Sequence, residues 1–547
     1  MLRLPAVGVR AIEASCLRPP GKIIRLLALL ATVLPIGGSA LAVDYVWDGR
    51  PPSGNGNSRW ASGYNWSNGV APGTTVAGLT NADIIFTGSL KTTPSLGSSY
   101  YIHSLTYASN AASFTLVPAN SQVLTIGAGG IVNNSVNQQS ILTTLNLGDA
   151  QTWNAAAGNL IVSGAVNLNN YALTVGGANN LTINSVVQGA GSLVKQGAGV
   201  LSLAGAGANT FGGGVTLSSG TITAGKAGAL GTGALVVSGG TLNLGAFGQT
   251  VSSLSLSGGT ITGSGTLVSS SSYQVQSGAI NVTLGGAGSL TKTTSGTVTL
   301  GAANLYSGGT FINGGILVVN NTSGSGTGGG NVSINSGGTL AGSGSIGGTV
   351  TNRFGGTISA GWNIGQLNSG PQIWLGGSTD LWEIRDAAST AGIGWDLLNI
   401  SGTLNVLATS GNKVTLDVVT FTLGGVPGQT ANFNPSQSYL WKIAQTTGGI
   451  TFAPGEDVTT VFGLMTGGFA NLLNGGVFGL VTANGGRDLD LTFTPAATVP
   501  EPDKPAFIAL AGCFYIYGRR FKRHWRSEPR PLNRPPNQPS STATAVA

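Results

Sequence analysis

The fold is decided by residues 218–263, which read SSGTITAGKAGALGTGALVVSGGTLNLGAFGQTVSSLSLSGGTITG. Short turns rich in Gly and Ser are followed by strands in which every second residue is aliphatic, a pattern that buries one face of a strand. The turn-and-strand unit recurs at a nearly constant spacing, with Thr221, Thr241 and Thr260 at equivalent positions and Ala279 at the next one. The stretch therefore predicts a repeat of one short coil.

A unit this small cannot bury its apolar face alone, so successive units must stack to form a continuous core. The same signal returns further along the chain at Thr339 and Thr357, with a similar spacing. Gly adopts a positive φ at each corner without steric cost. We therefore predict an all-β protein, a right-handed parallel β-helix (β-solenoid). Its Leu, Val and Ile side chains point inward and its Thr, Ser and Asn side chains lie outside or at corners.

A longer repeat aligns two stretches that begin at Gly191 and Gly288. Both contain a short alternating strand, a polar corner and an aromatic residue before a run of Gly. The matched pairs are Lys195 with Lys292, Leu203 with Leu300, Asn209 with Asn304, and Phe211 with Tyr306.

These stretches resemble the autotransporter-associated β-strand repeat, whose core reads Gly-x-Leu-x-Lys-x-Gly-x-Gly-x-Leu-x-Leu, then Asn-x-Tyr/Phe-x-Gly-Gly. Residues 191–213 match it, and residues 288–309 match except at Thr294 and Val298. The Trp-rich residues 45–73 resemble the opening of such surface proteins. GTISAGWNIGQL and GWDLLNISGTLNV resemble their region after the repeats. The resemblance implies an exported β-solenoid.

The composition excludes several classes of protein. Charged residues make up 7% of the 547 residues, against about 25% in an ordinary globular protein. The formal net charge of +7 comes from the two ends, because 11 basic and 13 acidic residues lie between Val43 and Thr498. The body therefore has no basic surface for nucleic acid. The two Cys of the chain, Cys16 and Cys513, lie outside the body, which excludes a disulfide framework there.

The N-terminal segment has the order of a secretory signal. Lys22 and Arg25 precede an apolar run, and Ala40, Leu41 and Ala42 follow it. A positive region, an apolar region and a small-residue cleavage site are typical of signal peptides. We predict a signal peptide over residues 1–42, with Ala40 and Ala42 as the small residues and Val43 as the first residue after cleavage. An uncleaved membrane anchor is the alternative.

The C-terminal end has three parts. The motif Val499, Pro500, Glu501 and Pro502 precedes an apolar run over residues 505–518. A basic cluster follows, comprising Arg519, Arg520, Lys522, Arg523 and Arg526. Basic residues beside an apolar segment favour keeping that side cytoplasmic. The order predicts a short membrane helix with membrane-stop charges at Arg519, Arg520, Lys522 and Arg523. A buried helix with a basic flank is the alternative.

This end resembles the PEP-CTERM sorting signal. The resemblance implies that Pro500, Glu501 and Pro502 form the sorting motif and that an exosortase-like enzyme cuts near it during export. It departs at Asp503 and Lys504, where the family is usually apolar, and in the further segment 527–547 that follows the basic cluster. The implied partners are the export machinery, this processing enzyme and the membrane.

The Trp-rich opening has two interpretations. Trp47, Trp60 and Trp66 could form an exposed platform that stacks on sugars, with a surface polysaccharide as partner. Aromatic residues also cap the end of a solenoid, whose last open strand must be covered. We favour capping.

Parallel β-helices also include enzymes that act on polysaccharides, so the acidic residues are candidate catalytic groups. Glycoside hydrolysis needs two carboxylates about 5–9.5 Å apart. The local cluster is Asp380, Glu383 and Asp386, and we favour a solvated strand face for it. On a strand, Glu383 and Arg385 share one face and could form a surface pair. Asp488 and Asp490 alternate with Leu489 and Leu491 in the same way.

No other catalytic motif stands out. The body has one His, His103, which predicts a structural role because no strand–turn–helix elbow surrounds a Ser. The GGG runs lack the Lys-Ser/Thr of a phosphate loop, and no His or Cys cluster could hold zinc. We therefore predict no catalytic residues, no metal site and no cofactor.

The domain prediction follows from these parts. It comprises a signal peptide (1–42), a Trp-containing β cap (43–119), solenoid repeats (120–361), a β-rich region (362–498), a sorting signal (499–526) and a disordered tail (527–547). The predicted function is that of an exported, non-enzymatic surface or matrix protein, acting as a stalk, matrix component or adhesin. A β-helix carbohydrate-active enzyme, a polysaccharide lyase or glycoside hydrolase, is the alternative. An autotransporter passenger is disfavoured, because the C-terminal residues lack the alternating apolar strands of about ten residues that build an outer-membrane barrel.

Overall fold

A computed structural model describes residues 42–50, 57–73 and 81–497. Over these residues the chain is a parallel β-solenoid, with one 3-10 turn at Gly63–Asn65 as its helical content. This confirms the predicted all-β solenoid. The predicted membrane helix, the sorting motif and most of the signal peptide, with Ala40, lie outside the described residues. The domain boundaries stay predictions.

The strands are numbered β1 to β45 along the chain, and they form three ladders. The first is a 21-stranded sheet: β1 Val43–Trp47, β2 Ala82–Phe86, β4 Tyr100–Tyr107, β6 Val123–Asn133, β8 Thr144–Leu147, β9 Gln151–Ala155, β11 Val166–Asn167, β12 Leu173–Gly177, β14 Val187–Gln188, β15 Leu193–Lys195, β17 Val215–Leu217, β19 Leu235–Val237, β22 Leu254–Leu256, β24 Ser272–Val275, β26 Ser289–Lys292, β28 Thr310–Ile312, β30 Val332–Ile334, β33 Val350–Asn352, β36 Gln372–Trp374, β39 Thr403–Val406 and β42 Gly449–Phe452.

The second ladder contributes its inward side chains to the same core as the first. Its strands are β3 Ser95–Leu96, β5 Thr115–Pro118, β7 Gln139–Ile141, β10 Leu160–Val162, β13 Leu181–Ile183, β16 Val200–Leu203, β18 Thr221–Ala224, β20 Thr241–Asn243, β21 Gln249–Val251, β23 Thr260–Ser269, β25 Gly278–Gly285, β27 Thr297–Leu300, β29 Gly315–Val319, β31 Gly338–Ala341, β34 Thr357–Ile358, β37 Thr379–Ile384, β40 Val414–Thr420 and β43 Phe462–Gly468.

The third ladder is a 6-stranded sheet near the end of the described chain. Its strands are β32 Ser345–Ile346, β35 Gln366–Ser369, β38 Leu397–Ile400, β41 Tyr439–Thr446, β44 Val477–Ala483 and β45 Asp488–Thr494. β45 pairs antiparallel with β41 and β44, whereas the coils before it stack in parallel. No helix among the described residues is long and apolar enough to cross a bilayer.

The register of the second ladder follows the spacing of the sequence signal. Thr221 pairs with Thr241, Thr241 with Thr260, and Thr260 with Ala279. Each pairing joins residues one coil apart, so every coil returns the chain to the same position on the next strand. The predicted coil period is therefore confirmed.

The inward and outward faces also follow the alternation. Leu201 and Leu244, both predicted inward, are fully buried. In β16 the burial alternates between Leu201 and Leu203 inside and Ser202 outside. Burial of an aliphatic side chain stabilises by about 1.5–3 kcal/mol, and the stacked coils join these side chains into one continuous core.

The coils lengthen after the repeats. Along the second ladder Thr339 pairs with Thr357, Thr357 with Thr379, and Thr379 with Thr415. The sequence separation between partners increases at each of these steps. The ladder position is unchanged, so the added residues must form loops outside it. One such loop, residues 361–365, follows β34, and another, residues 385–396, follows β37.

Candidate functional site

The Lys of the repeated motif is a buried structural clamp. Lys195 is 1% exposed and Lys292 fully buried, because each lies two residues after an inward Leu on the same strand face. Lys195 Nζ donates to the carbonyls of Gln196 and Gly197 at 2.9 and 2.8 Å. Burial lowers the pKa of both ammonium groups. Each cation holds the carbonyl oxygens of the turn that follows its strand.

The second copy of the clamp accommodates a departure from the motif. Where the first copy has Gly197 at φ 81°, the second has Thr294 at φ 63°, a conformation unfavourable for a β-branched residue. Lys292 Nζ donates to the Thr294 carbonyl at 2.9 Å, and also to those of Thr293 and Gly314. Two of these charge-assisted bonds hold the turn at Thr294, which Gly would form without strain, and the third joins it to the corresponding turn of the next coil.

The motif Asn residues join neighbouring coils. Asn209 accepts the backbone N–H of Val187 at 2.9 Å and donates to the Ala229 carbonyl at 2.6 Å. Asn304 is bonded in the same way to Leu284 N and Gly326 O. Each side chain thus replaces two backbone bonds at a corner where the ladder is interrupted.

The aromatic position of the motif completes the core. Phe211 and Tyr306 are fully buried, and the Tyr306 hydroxyl lies 2.7 Å from Thr310 Oγ1. The pattern that the two copies share is therefore accounted for by folding, and its Lys, Asn and aromatic side chains are not free to bind a ligand.

The three N-terminal indoles form a buried cluster. Trp47, Trp60 and Trp66 are all 0% exposed, with ring centroids 5.2 Å apart for Trp47–Trp66 and 5.7 Å for Trp60–Trp66. The segment that carries Trp66 also bonds to β1, since Ser67 N donates to Val46 O at 2.9 Å. The indoles thus cover the first coil and do not offer an exposed face to a sugar, which agrees with capping.

The acidic cluster is not the solvated strand face that we predicted for it from its charge. Asp380 is 2% and Glu383 is 7% exposed, so that prediction was wrong for both. Asp380 points inward between its register partners Ile358 and Leu416, and its Oδ2 has no hydrogen-bond partner. Burial in these apolar surroundings raises the pKa of Asp380 to about 8.

Glu383 faces outward from β37 but is covered. The predicted surface pair with Arg385 does not form, and Glu383 Oε2 is buried without a hydrogen-bond partner. Burial raises the pKa of this carboxyl to about 7. Asp386 lies in the following loop, where its Oδ1 accepts Asn432 Nδ2 at 2.8 Å. The three acids that are close in sequence therefore have three different environments.

Asp396 is a functional candidate that the sequence pattern did not reveal. It is 2% exposed, its Oδ1 accepts the N–H of Gly365 at 2.9 Å, and its Oδ2 accepts the N–H of Glu383 at 3.1 Å. Burial and, next, the nearby Glu383 carboxyl raise its pKa. The side chain ties the loop at residues 361–365 to β37. The motif GWDLL gives no sign of this bridge, because its partner Gly365 lies far away in the sequence.

A cavity of about 180 Å³ lies between that loop and the outer face of the second ladder. Its lining comprises Ile316, Thr339, Ala341, Ser359, Gly361, Trp362, Asn363, Leu381 and Glu383. Trp362 is 52% exposed. Glu383 is the one carboxyl in this lining, whereas glycoside hydrolysis uses two that face the sugar.

The acids of β45 are also covered. The predicted alternation holds, with Leu489 and Leu491 in the core and both Asp residues on the other face, but Asp488 is 7% and Asp490 is 2% exposed, so neither carboxyl is solvated. Lys442 Nζ lies 2.8 Å from Asp488 Oδ2, and Asp490 Oδ1 has no partner. Burial, followed by the charge of Asp488, raises the pKa of Asp490. The loop that carries Ser389 and Trp395 borders this site.

His103 takes part in a polar contact without a catalytic arrangement. Its Nδ1 lies 2.7 Å from Asp83 Oδ1. The Ser104 hydroxyl donates to the same carboxylate oxygen instead of to the imidazole. A nucleophilic Ser would need the imidazole as its base. Among the described residues, no group of three His, Cys, Asp or Glu side chains is arranged to hold a metal ion.

The geometry thus defines a class, the parallel β-solenoids whose corners are held by buried Lys and Asn clamps. A comparison with known protein families finds the same two repeat stretches. The Passenger-associated-transport-repeat model matches residues 193–224 and 290–319, the two stretches that carry the clamps. The chain is also similar to the BmaC autotransporter adhesin of Brucella suis, at 38% identity over 158 residues, or 25% of this chain. It spans 4% of that protein's length.

Proposed function

We propose that the protein is an exported, non-enzymatic β-solenoid that acts at the cell surface as an adhesive or structural rod. The observation that carries this proposal is the unbroken stacking of parallel coils from β1 into the C-terminal region. A ladder of this kind separates its two ends by a rigid distance, which suits a stalk or matrix element.

The comparisons support export and adhesion. The matched repeat is named for transported passengers, and the similar Brucella protein is named an adhesin. The motif side chains serve folding, so the repeat coils act as a scaffold and contact with a partner falls to other surfaces.

The proposed route to the surface uses the two terminal segments. The signal peptide at residues 1–42 directs export. The PEP-CTERM-like motif, with the apolar run and Arg519, Arg520, Lys522 and Arg523, holds the chain in the membrane until an exosortase-like enzyme cuts it. Pro500 and Pro502 keep the motif extended for a protease, because neither can continue a helix, and Glu501 identifies the site.

The test is mass spectrometry of both termini of the protein that is recovered from intact cells after surface biotinylation. We expect Val43 at the N-terminus and a C-terminus near Glu501. Glu501→Ala should leave the protein in the membrane fraction with its tail attached, whereas Asp503→Ala is the matched control. A biotinylated Glu501→Ala protein with the same trimmed end would refute sorting. Absence of surface labelling in the wild type would refute the surface role.

A further inference from the structure

The cavity beside Trp362 differs from the rest of the outer face of the second ladder. On the repeat coils this face carries side chains such as Thr221, Thr241 and Thr260, which alternate with the buried positions. At the cavity the lining includes the small, buried residues Ala341 and Ser359. A loop from the lengthened coils stands beside it and adds an indole, so a shallow polar surface becomes a recess.

The loop that carries Trp362 is fixed at both ends. Gly361 adopts φ 91° and a Cβ there would lie 2.3 Å from the Asn363 carbonyl oxygen, so the turn accepts only Gly. Gly361 N donates to Gly342 O at 2.9 Å, and Gly365 N is held by Asp396. The backbone that carries the indole is thus held in place before any ligand arrives, which lowers the entropic cost of binding.

The second feature of the cavity is the Glu383 carboxyl, which has an oxygen without a hydrogen-bond partner. Its side chain is more than nine-tenths buried, it lines the cavity, and its Oε2 has no hydrogen-bond partner. Buried polar atoms are nearly always hydrogen-bonded, and one left without a partner destabilises the fold. A ligand hydroxyl that donates to this oxygen would supply the missing bond.

The lining as a whole selects the chemistry of the ligand. It combines an exposed indole and the apolar Ile316 and Leu381 with the hydroxyls of Thr339 and Ser359 and an amide. It contains no Lys or Arg, which disfavours an anion. Its single carboxyl is largely desolvated, which disfavours a bound cation because the carboxyl would have to ionise away from water. A neutral ring with an apolar face and a hydroxylated edge matches all of these groups.

We propose that this cavity is a saccharide-binding subsite, in which the Trp362 indole packs against one ring of a neutral polysaccharide and the Glu383 carboxyl bonds to its hydroxyls. Pockets that enclose drug-sized ligands measure about 300–1,000 Å³. The volume of about 180 Å³ therefore suits one sugar unit of a longer chain. This subsite proposal rests on the proposed surface function in one respect: it identifies the ligand to which the rod would adhere.

The test uses the purified full chain and neutral linear tetrasaccharides of glucose, mannose, galactose and N-acetylglucosamine. Saturation-transfer NMR identifies a binder, and calorimetry gives its Kd. We expect at least one to bind, and Trp362→Ala to weaken it at least tenfold. Phe247→Ala is the matched control, since Phe247 is an aromatic residue 41% exposed on a turn of the repeat coils.

Glu383→Leu separates binding from folding. Removal of the unpartnered carboxyl should leave the melting temperature unchanged or raise it, and should weaken the saccharide at least tenfold. A residue with a purely structural role would not lower affinity while preserving stability. If Glu383→Leu does not fold, Trp362→Ala decides the question alone, because that side chain is half exposed.

Three results would overturn the proposal. The first is that none of the four tetrasaccharides binds, and the second is that Trp362→Ala binds its tetrasaccharide with unchanged affinity. The third is that tetramethylammonium chloride binds in a Trp362-dependent way and the tetrasaccharides do not, which would identify a cation site. Cleavage of a bound tetrasaccharide would support the subsite and refute the non-enzymatic function. Binding by a chain that never reaches the surface would uphold the subsite while the surface role fails.

Discussion

Asp380→Asn should remove a loss of stability that the wild-type protein suffers as pH rises. Asp380 lies in the core ladder between Ile358 and Leu416, where burial raises its pKa to about 8. In the unfolded chain the same carboxyl titrates near its ordinary value of 3.8. Between these values the native state holds a proton that the unfolded state has lost, so the free energy of unfolding falls as pH increases.

The magnitude follows from the proton count. One proton of difference changes the free energy of unfolding by about 1.36 kcal/mol per pH unit, so the interval from pH 5 to pH 8 corresponds to roughly 4 kcal/mol. Domains have about 5–15 kcal/mol of stability in total. The effect ends above the native pKa, where both states are ionised, and below pH 4, where both are protonated.

Urea unfolding at pH 5, 6, 7 and 8 measures this difference, and hydrogen exchange of the β37 peptide, corrected for the intrinsic rate at each pH, locates it. Asp380→Asn, which cannot ionise, should show a flatter stability profile than the wild type and exceed it at pH 8. Asp149→Asn, at an exposed position, is the control. Parallel profiles for the wild type and Asp380→Asn would refute the assignment of the proton to Asp380, because Glu383 and Asp396 remain in both proteins.

Three further predictions concern the rod. Leu201→Asp or Leu244→Asp should unfold it, because each variant places an unpaired carboxylate at a fully buried position at a cost of several kcal/mol. The control Ser202→Asp, at an outward position, should leave the rod folded, and an unchanged melting temperature in both Leu variants would disprove the assigned facing. Lys292→Met should lower the free energy of unfolding by about 1–3 kcal/mol, because three backbone carbonyls lose their hydrogen-bond donor. The control Lys413→Met, at an exposed position, should have little effect, and equal melting temperatures of the two variants would rule out the clamp. Chelator and reductant should each leave the β-sheet circular dichroism of the full chain unchanged, and loss of the signal with chelator alone would reveal a metal dependence.

The coil repeat was readable from sequence because one rule controls it. A parallel ladder pairs equivalent positions of successive coils, so Thr221, Thr241 and Thr260 had to become neighbours once the chain closed each coil. Alternation then fixed the facing of Leu201 and Leu244, because an inward residue in a stacked ladder has apolar neighbours above and below. Both features depend on local spacing alone.

The same alternation also predicts that two charged side chains point inward, although their charge suggests that they are exposed. Lys195 lies two residues from the inward Leu193, and Asp380 lies two residues from the inward Trp382, so strict alternation places both inside. The expectation that charged side chains are solvated pointed the other way. For Lys195 the turn carbonyls compensate for burial, whereas Asp380 lowers the cost by holding its proton.

Glu383 could not have been placed from local sequence, because its burial depends on where the period ends. Its outward facing on β37 follows the alternation, but the residues that cover it come from loops that exist only in the lengthened coils. In a repeat coil such as that from Thr241 to Thr260, the residues are all needed for strands and corners. The much longer coil from Thr379 to Thr415 has additional residues that lie outside the second ladder. These additional residues include Asp396, which fixes the loop of Trp362 over Glu383. Regular coils determine the length of the rod, and departures from their period create recesses that can hold a ligand. A search for binding sites in solenoids of this kind should therefore begin where the spacing of the ladder signal breaks, and for this chain that point lies after Thr357.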